Sequence, residues 1–522
     1  MQSDVPGHSS GALPGPGRSL SAALAALVRL PAGSWALVLL GAVVLTRLAA
    51  LFCPFFATDE ATYSALASRI LEGAAPYVGA VDHKPVGIEM TYALVYAAVG
   101  RNHILFVRLL FFAFLVANGL VLSRIGERLR GDPSGRLAGL VYVIASAWGL
   151  PGDVAAANTE LFLNLPLSLA ALLILPPAPG GRPLPWRNFL LAGVLTGIAM
   201  LFKYQAALAG GAWALTTWLS EGGVRARIGR LALLLAGFCA LTAGYLAYFA
   251  FSGTWDGFLF WGLEFNKSYV EALPIGLLLW NATYYTLIVA GFWMPLLLCL
   301  RIPSGRAARF VLPWAGSMLL SATVGGRFFP HYYLMALPPV CLLLFVRPIP
   351  VAAWRRNLAV VLGVGLTVAS LALAFTWDQV KPHLLVHREA FREIGAFVDG
   401  RSGRDDRIFV WGNSPEIYYE SDRVMGTRFP FCNYHTGKIW GTTADDVDAT
   451  DTEQYIVPRA WTELLADLDA DPPRLIVDAA AGRLDRFDLH PISRYPELAR
   501  RVAQRYRLVG TPAGVPVYEL LP

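Results

Sequence analysis

Four short stretches carry side chains whose types and spacing suit proton transfer and the holding of an anion. In "FFATDEATY" (55–63) the adjacent carboxylates Asp59 and Glu60 follow an apolar run, and Tyr63 lies one helical turn beyond Asp59. A carboxylate in reach of a hydroxyl can take its proton; Asp59 would equally serve as a helix cap that suits the helix dipole. In "VDHKPVG" (81–87), Asp82, His83 and Lys84 precede a proline that opens a helix. This is either a solvated turn or a cation at a helix mouth, placed to hold an anion. "AANTELFLNLP" (156–166) puts Asn158 and Glu160 at the start of an apolar run, as a cap or as functional groups. "GGRFFPHYYLMALPP" (325–339) offers Arg327, His331 and Tyr332, either an interfacial anchor with a snorkelling arginine or two cations for a phosphate. "KYQ" (203–205) is a weaker signal, and "EFNK" (264–267) reads as a surface ion pair. Arg47 and Arg108 lie inside apolar runs, where each either lines the same cavity or snorkels.

The elements that must position these groups follow from composition. The chain has 522 residues, 55% hydrophobic and 15% charged, with a mean hydropathy of +0.49. Soluble chains are about a quarter charged, so this is an integral membrane protein. Its net charge of +6 belongs to loops between spans and gives no reason to expect nucleic acid. Four of the five cysteines, Cys53, Cys239, Cys299 and Cys341, lie in apolar runs and only Cys432 in a polar one; the odd number and spacing give no disulfide or zinc framework. The Gly-, Pro- and Ser-rich residues 1–33 read as a disordered tail without a cleavage site, and bulky Phe52 before Cys53 argues against lipidation there.

A span needs roughly 20 apolar residues. About eleven segments qualify: 34–53, 104–123, 136–150, 160–177, 188–203, 206–220, 230–252, 280–300, 308–325, 328–346 and 357–376. With a cytoplasmic N-terminus, alternate loops collect arginines (Arg124 to Arg136, Arg182 and Arg187, Arg225 to Arg230, Arg301 to Arg309, Arg347 to Arg356), while the other loops are nearly free of them. That pattern puts "FFATDEATY" and everything after residue 377 outside the cytoplasm. In the first outside segment, Tyr63, Leu66, Ala67, Ile70 and Leu71 fall on one helical face, predicting an amphipathic helix on the membrane surface. Residues 85–100 read as a second interfacial helix, and the aromatic stretch 254–274 as a third interfacial segment. After Trp377 short strands ("DRIFVWGN", "PPRLIVDAA"), helical repeats ("HREAFREIGAFVDG", "YPELARRVAQRY") and a terminal hairpin ("RLVGTPAGVPVYEL") predict a small α/β domain. The expected division is a tail (1–33), a transmembrane catalytic domain (34–377) and an extracytoplasmic α/β domain (378–522).

Together these pieces resemble the polytopic glycosyltransferases of the GT-C fold. The nearest group is the bacterial protein O-mannosyltransferase-like one, with the lipid A aminoarabinose transferases and lipid-linked galacturonic acid transferases. The family pattern of Asp-Glu-x-x-Tyr, a surface helix, and Lys-Pro opening a second helix is met by Asp59, Glu60, Tyr63, Lys84 and Pro85. Glu160 and the run Arg327, His331, Tyr332 and Pro338 also fit, and the likeness covers about residues 35–350. Three positions depart from the pattern: Val86 follows Pro85, Thr62 precedes Tyr63 where a basic residue is common, and His83 stands where aminoarabinose transferases carry Glu.

The resemblance implies that Asp59, with Glu60, is the catalytic base. Lys84, Arg327 and His331 would hold a donor phosphate, and Tyr63, His83, Asn158, Glu160 and Tyr332 would contact substrate. It implies an inverting transfer of a sugar from a polyprenyl-phosphate donor to an acceptor hydroxyl on the outer face of the cytoplasmic membrane. The acceptor is left open between lipid A, another lipid, a cell-envelope glycan and a protein. These cations can supply the charge that otherwise calls for a divalent metal, so no cofactor is required; a divalent metal is left open but the sequence does not support one, and no metal site is carried over. Two other readings remain. A transporter or flippase of a lipid-linked or anionic substrate predicts internal repeats and midplane charges; a glycan- or partner-binding C-terminal module on a membrane anchor would not need eleven spans.

Overall fold

The computed structural model describes residues 23–178, 181–267, 273–346, 351–377, 382–439, 451–484 and 486–522, with side chains from residue 387 onward in the fifth stretch. Residues 1–22 of the expected tail, Arg347 and residues 268–272 of the aromatic stretch lie outside the described residues. From residue 23 the chain is structured: 23–27 are helical, and Arg136 donates to the carbonyls of Val28 (3.1 Å) and Leu30 (2.7 Å). The tail expected over 1–33 therefore gives way to structure before its end.

All eleven apolar segments are helical. Their main helices, with the two of the first connection, are α1 (Ala32–Thr46), α2 (Thr58–Leu71), α3 (Gly87–Val99), α4 (Ile104–Arg130), α5 (Leu137–Ala145), α6 (Thr159–Ile174), α7 (Trp186–Phe202) and α8 (Ala209–Trp218). Then follow α9 (Val224–Phe251), α10 (Ile275–Phe292), α11 (Gly305–Thr323), α12 (Leu337–Phe345) and α13 (Ala353–Phe375). Among the described residues five helical segments are long and apolar enough to cross a membrane by themselves: α4, Pro151–Ile174 including α6, α9, α10 and α13. Exposed Leu235, Leu279, Leu287, Val361 and Val368 on α9, α10 and α13 make apolar outer faces that water would penalise and lipid accepts. The chain is a helical polytopic membrane protein.

The C-terminal part is the α/β unit its sequence predicts. Strands β1 (Arg407–Trp411), β2 (Val424–Met425), β3 (Leu475–Asp478), β4 (Tyr506–Gly510) and β5 (Val517–Leu520) form one sheet in the order β2-β1-β3-β5-β4. β1 runs parallel to β2 and β3, and β4 and β5 form the antiparallel terminal pair. Helices α14 (Pro382–Asp399), α15 (Pro458–Ala470) and α16 (Pro496–Arg505) accompany the sheet.

α2 differs from its expectation. Glu60 to Ser68 are all buried, so the helix has no free polar face on a membrane surface. Ala61, Tyr63 and Ala67 join the core of the membrane part, whereas Ala65 and Leu66 join the core built on β1, β3 and α14. Its sequence is rich in Ala, Ser and Thr, which fill either surface without a polarity conflict. Its serines are absorbed internally: Ser64 meets the Tyr96 hydroxyl at 2.8 Å and Ser68 donates to the Ser64 carbonyl. Further ties hold the α/β unit down, including Arg101 and Asn102 to Asp422, Arg407 to Glu72, and Val81 N to the Arg428 carbonyl at 2.9 Å. The aromatic 254–274 stretch belongs to the same joint. Phe258 and Trp261 pack in one core with Phe409 and Trp411, and Asp256 pairs with Arg459 at 2.7 Å.

α3 begins where Gly87 lies against the end of α7. A Cβ on Gly87 would stand 2.4 Å from the Leu201 carbonyl oxygen. Gly87→Ala is expected to force these backbones apart at a cost of ~1–3 kcal/mol, read as a lowered melting temperature of the purified protein. An unchanged melting temperature would mean that α3 can slide without loss.

Candidate active site

Asp59 and Glu60 stand side by side in the first turn of α2 and face different surroundings. Ala57 occupies the cap position, so Asp59 is not the helix cap that the sequence allows; it lies inside the turn, where a negative charge still suits the dipole. Its Oδ1 lies 2.9 Å from Lys84 Nζ, and 44% of its side chain remains exposed. Lys84 also donates to the Tyr63 hydroxyl at 3.1 Å and lies 3.8 Å from Asp82 Oδ2. The spacing of Asp59 and Tyr63 brings both to one ammonium group.

The electrostatics follow from this packing. Burial works against the Lys84 charge, but Asp59, Tyr63 and Asp82 outweigh it and hold the ammonium protonated well above the ordinary lysine range. Burial likewise opposes the Asp82 charge, and Lys84 and His83 overcome it, keeping this carboxylate below its usual range. Burial first, and then the Asp59 charge, push the Tyr63 phenol well up, so it stays a hydrogen-bonding hydroxyl. His83 Nδ1 lies 3.0 Å from the Tyr434 hydroxyl, which brings the α/β unit over this loop. Within "EFNK", Asn266 donates to the His83 carbonyl at 2.6 Å, while Glu264 and Lys267 are exposed.

Glu60 is fully buried and committed. Its carboxylate takes Arg108 at 2.9 and 3.1 Å and accepts the amides of Phe56 (3.0 Å) and Ala157 (2.9 Å). Arg108 also donates to the carbonyls of Ala50, Cys53 and Pro54. Arg47 is buried too and donates to Ser146. Neither arginine snorkels or opens on the site. Each is an internal brace, because a guanidinium's fan of donors closes several chain ends at once.

A second group lies beside the first. Glu160 is buried, pairs with Lys203, accepts Thr159 Oγ1 at 3.0 Å and lies 4.0 Å from His331 Nε2. His331 Nδ1 meets Asp153 Oδ1 at 2.8 Å, and the Lys203 ammonium sits 3.3 Å from the centre of the Tyr332 ring. Lys84 and Asp59 lie within electrostatic reach of Lys203, which joins the two groups into one charged region. Asn158 is buried and donates to the Gly152 carbonyl at 3.2 Å. Arg327 is fully buried in the turn after α11, between Gly326 and Phe328, both left-handed at φ +66° and +55°.

Sequence reasoning undervalued Lys203 and passed over Asp153 and Glu89. A lysine directly after an apolar run and a glutamate within one are both ionisable groups where lipid or protein must accommodate them, a signal present in the sequence. Glu89 on α3 is 4% exposed, neither of its oxygens has a hydrogen-bond partner among the described residues, and it lines a small recess with Asp82, Lys84 and Tyr77. Burial, reinforced by Asp82, raises its pKa well above the ordinary 4.5 and keeps it a neutral acid.

No protein-family model and no curated relative matches the chain. Solved structures do. ArnT from Cupriavidus metallidurans bound to undecaprenyl phosphate aligns with a TM-score of 0.58 at 14% identity, over 94% of this chain and 98% of that one. The oligosaccharyltransferase AglB from Archaeoglobus fulgidus, in complex with an inhibitory peptide and a dolichol-phosphate, aligns at 0.45 and 11% identity, over 93% of this chain and 74% of that one. The apo form of the Archaeoglobus fulgidus oligosaccharyltransferase aligns at 0.43 and 11%, over 86% and 70%. The likeness to ArnT is one of fold across nearly the full length of both chains: the protein has the GT-C fold.

Two variants check the internal charges. Glu60→Gln leaves Arg108 buried without its counter-ion and should cost ~3–5 kcal/mol of stability, read by thermal melting; a loss below 1 kcal/mol would refute the brace. Because the folded pKa of Glu89 is raised, its stabilising effect is complete below 4.5 and is lost as pH rises toward the folded value. Glu89→Gln should therefore match the wild type near pH 4 and exceed it progressively above, by up to ~1.4 kcal/mol per pH unit. Parallel stability curves from pH 4 to 8 would rule this out.

Proposed function

We propose that the protein is an inverting glycosyltransferase that moves a sugar from a polyprenyl-phosphate donor to an acceptor hydroxyl at the outer face of the cytoplasmic membrane. The observation that carries this reading is the contact of Asp59 with Lys84: a part-exposed carboxylate and a permanently charged ammonium 2.9 Å apart. ArnT, whose fold this chain shares, is bound to undecaprenyl phosphate, and the same ligand class suits the cations gathered here.

In this mechanism Lys84, Lys203, His331 and Arg327 draw the donor phosphate to the outer end of the bundle. Entry of the phosphate gives Lys84 an anion beyond Asp59 and Asp82 and loosens its hold on Asp59. The acceptor hydroxyl oxygen attacks the anomeric carbon. The bond from that carbon to the phosphate oxygen breaks, its electron pair stays on the phosphate, and the hydroxyl proton passes to Asp59. One displacement inverts the configuration. Preorganised positive charge around the leaving phosphate stabilises the transition state. Glu160 holds Lys203 and orients substrate with Asn158, His83, Tyr63 and Tyr332. Glu60 serves as a brace for its neighbour. Residues 34–377 form the catalytic membrane domain, and 378–522 lie outside the cytoplasm as its cover.

Asp59→Asn keeps the shape and removes the base. Transfer should fall by about 10²–10⁴-fold in a protein that still folds, as its circular dichroism would show. Mass spectrometry of cell-envelope glycans from a deletion strain, complemented with wild type or Asp59→Asn, reads this directly and names donor sugar and acceptor together. A folded Asp59→Asn protein that restores the glycan at the wild-type rate would sink the assignment.

A further inference from the structure

A second cavity lies far from Asp59. It has a volume of about 190 Å³ and is bounded by the loop after α6, the start of α7, the end of α8 and the first turns of α9 and α11. α6 carries Glu160 at one end and Ile174, on this cavity, at the other; α7 runs from Phe189 here to Lys203 there. Fourteen residues of helix span ~21 Å, so the two sites lie at opposite ends of the bundle. This end is the arginine-rich one.

Three guanidiniums border the cavity, Arg230, Arg306 and Arg309. None pairs with a carboxylate among the described residues. Arg306 donates to the carbonyls of Arg128 (2.6 Å) and Pro176 (3.3 Å), and Arg230 to the Glu221 carbonyl (3.1 Å) and Ser220 Oγ (3.4 Å). Glu221 is on the lining as well but exposed. The second observation is Thr217. It lines the same cavity, is 2% exposed, and its hydroxyl has no hydrogen-bond partner among the described residues. Buried hydroxyls are satisfied in native structures by protein, water or ligand. Guanidiniums without a carboxylate partner, the exposed Arg309 among them, beside a buried hydroxyl are donors of the kind that hold a phosphate.

The surroundings distinguish a lipid phosphate from a free one. Leu184 and Phe189 form apolar walls, and Trp186, Leu219 and Ile228 stand exposed nearby, as on a face turned to lipid. A dry cavity of about 150 Å³ accepts a ring the size of benzene, so this one has room for a head group. Basic recesses between membrane helices bind anionic head groups in this way. We propose that the cavity bounded by Arg230, Arg306, Arg309 and Thr217 binds the phosphate head group of an anionic membrane lipid, in the leaflet opposite the Asp59–Lys84 site.

The test uses the full chain in zwitterionic detergent, with lipid retention read by native mass spectrometry. Phosphatidylglycerol, phosphatidylcholine and inorganic phosphate are the probes. Wild type should retain one phosphatidylglycerol and little phosphatidylcholine. Arg306→Gln with Arg309→Gln should weaken retention by about tenfold or more. Thr217→Val, which keeps the volume, should also weaken it, and both variants should melt as wild type does in detergent alone. Equal retention of the two lipids, or undiminished retention in the folded variants, would overturn the proposal. Loss of the lipid to millimolar inorganic phosphate would do so too, by making free phosphate the ligand.

Discussion

The candidate site depends on one ion pair that takes no part in the proposed chemistry. Glu60 and Arg108 are both sealed from solvent, and between them they satisfy five backbone groups, three carbonyls and two amides. Arg108 gathers the carbonyls at the end of the first span, from Ala50 to Pro54, and Glu60 takes the amides of Phe56 and Ala157. The start of α2, the N-terminal part of α4 and the approach to α6 thus meet at one carboxylate. Taking two charges out of water is costly, and such a pair persists only when its remaining donors and acceptors are satisfied. Here the backbone between Ala50 and Phe56 and the amide of Ala157 supply those partners inside the protein.

That arrangement separates the roles of two adjacent carboxylates. Consecutive residues on a helix point about 100° apart, so Glu60 turns into the packed interior while Asp59 stays part-exposed beside Lys84. Adjacency in sequence made them look like one functional pair. The fold makes one of them part of the frame and leaves the other part-exposed beside a lysine.

The helical spans and the α/β unit were legible because each is written locally. A bilayer demands long apolar runs, and β1, β3 and the terminal pair carry short β-branched or apolar stretches between turns. Asp59, Tyr63 and Lys84 were also legible as a group, since a helical turn and a following loop suffice to bring them together. The pairings between distant helices were not. Glu60 finds Arg108 48 residues away, and Lys203 finds Glu160 43 residues back, across separate helices. No local pattern encodes such pairings. The placement of α2 was hidden for a different reason: Ala, Ser and Thr tolerate both water and packing, so its periodicity could not reveal that a second surface covers it.

The two-sided burial of α2 bears on how such a protein can change over generations. The outer half of this helix, at Ala65 and Leu66, belongs to the core of the α/β unit, with Ile394 and Ile408. The boundary between the two parts of the chain therefore does not coincide with the boundary between their cores. Exchanging everything after Trp377 for an unrelated module would strip one side of the helix that carries Asp59. A replacement for the C-terminal unit would have to present a surface that matches Ala65 and Leu66, so the two stretches have to fit each other although they lie some 300 residues apart.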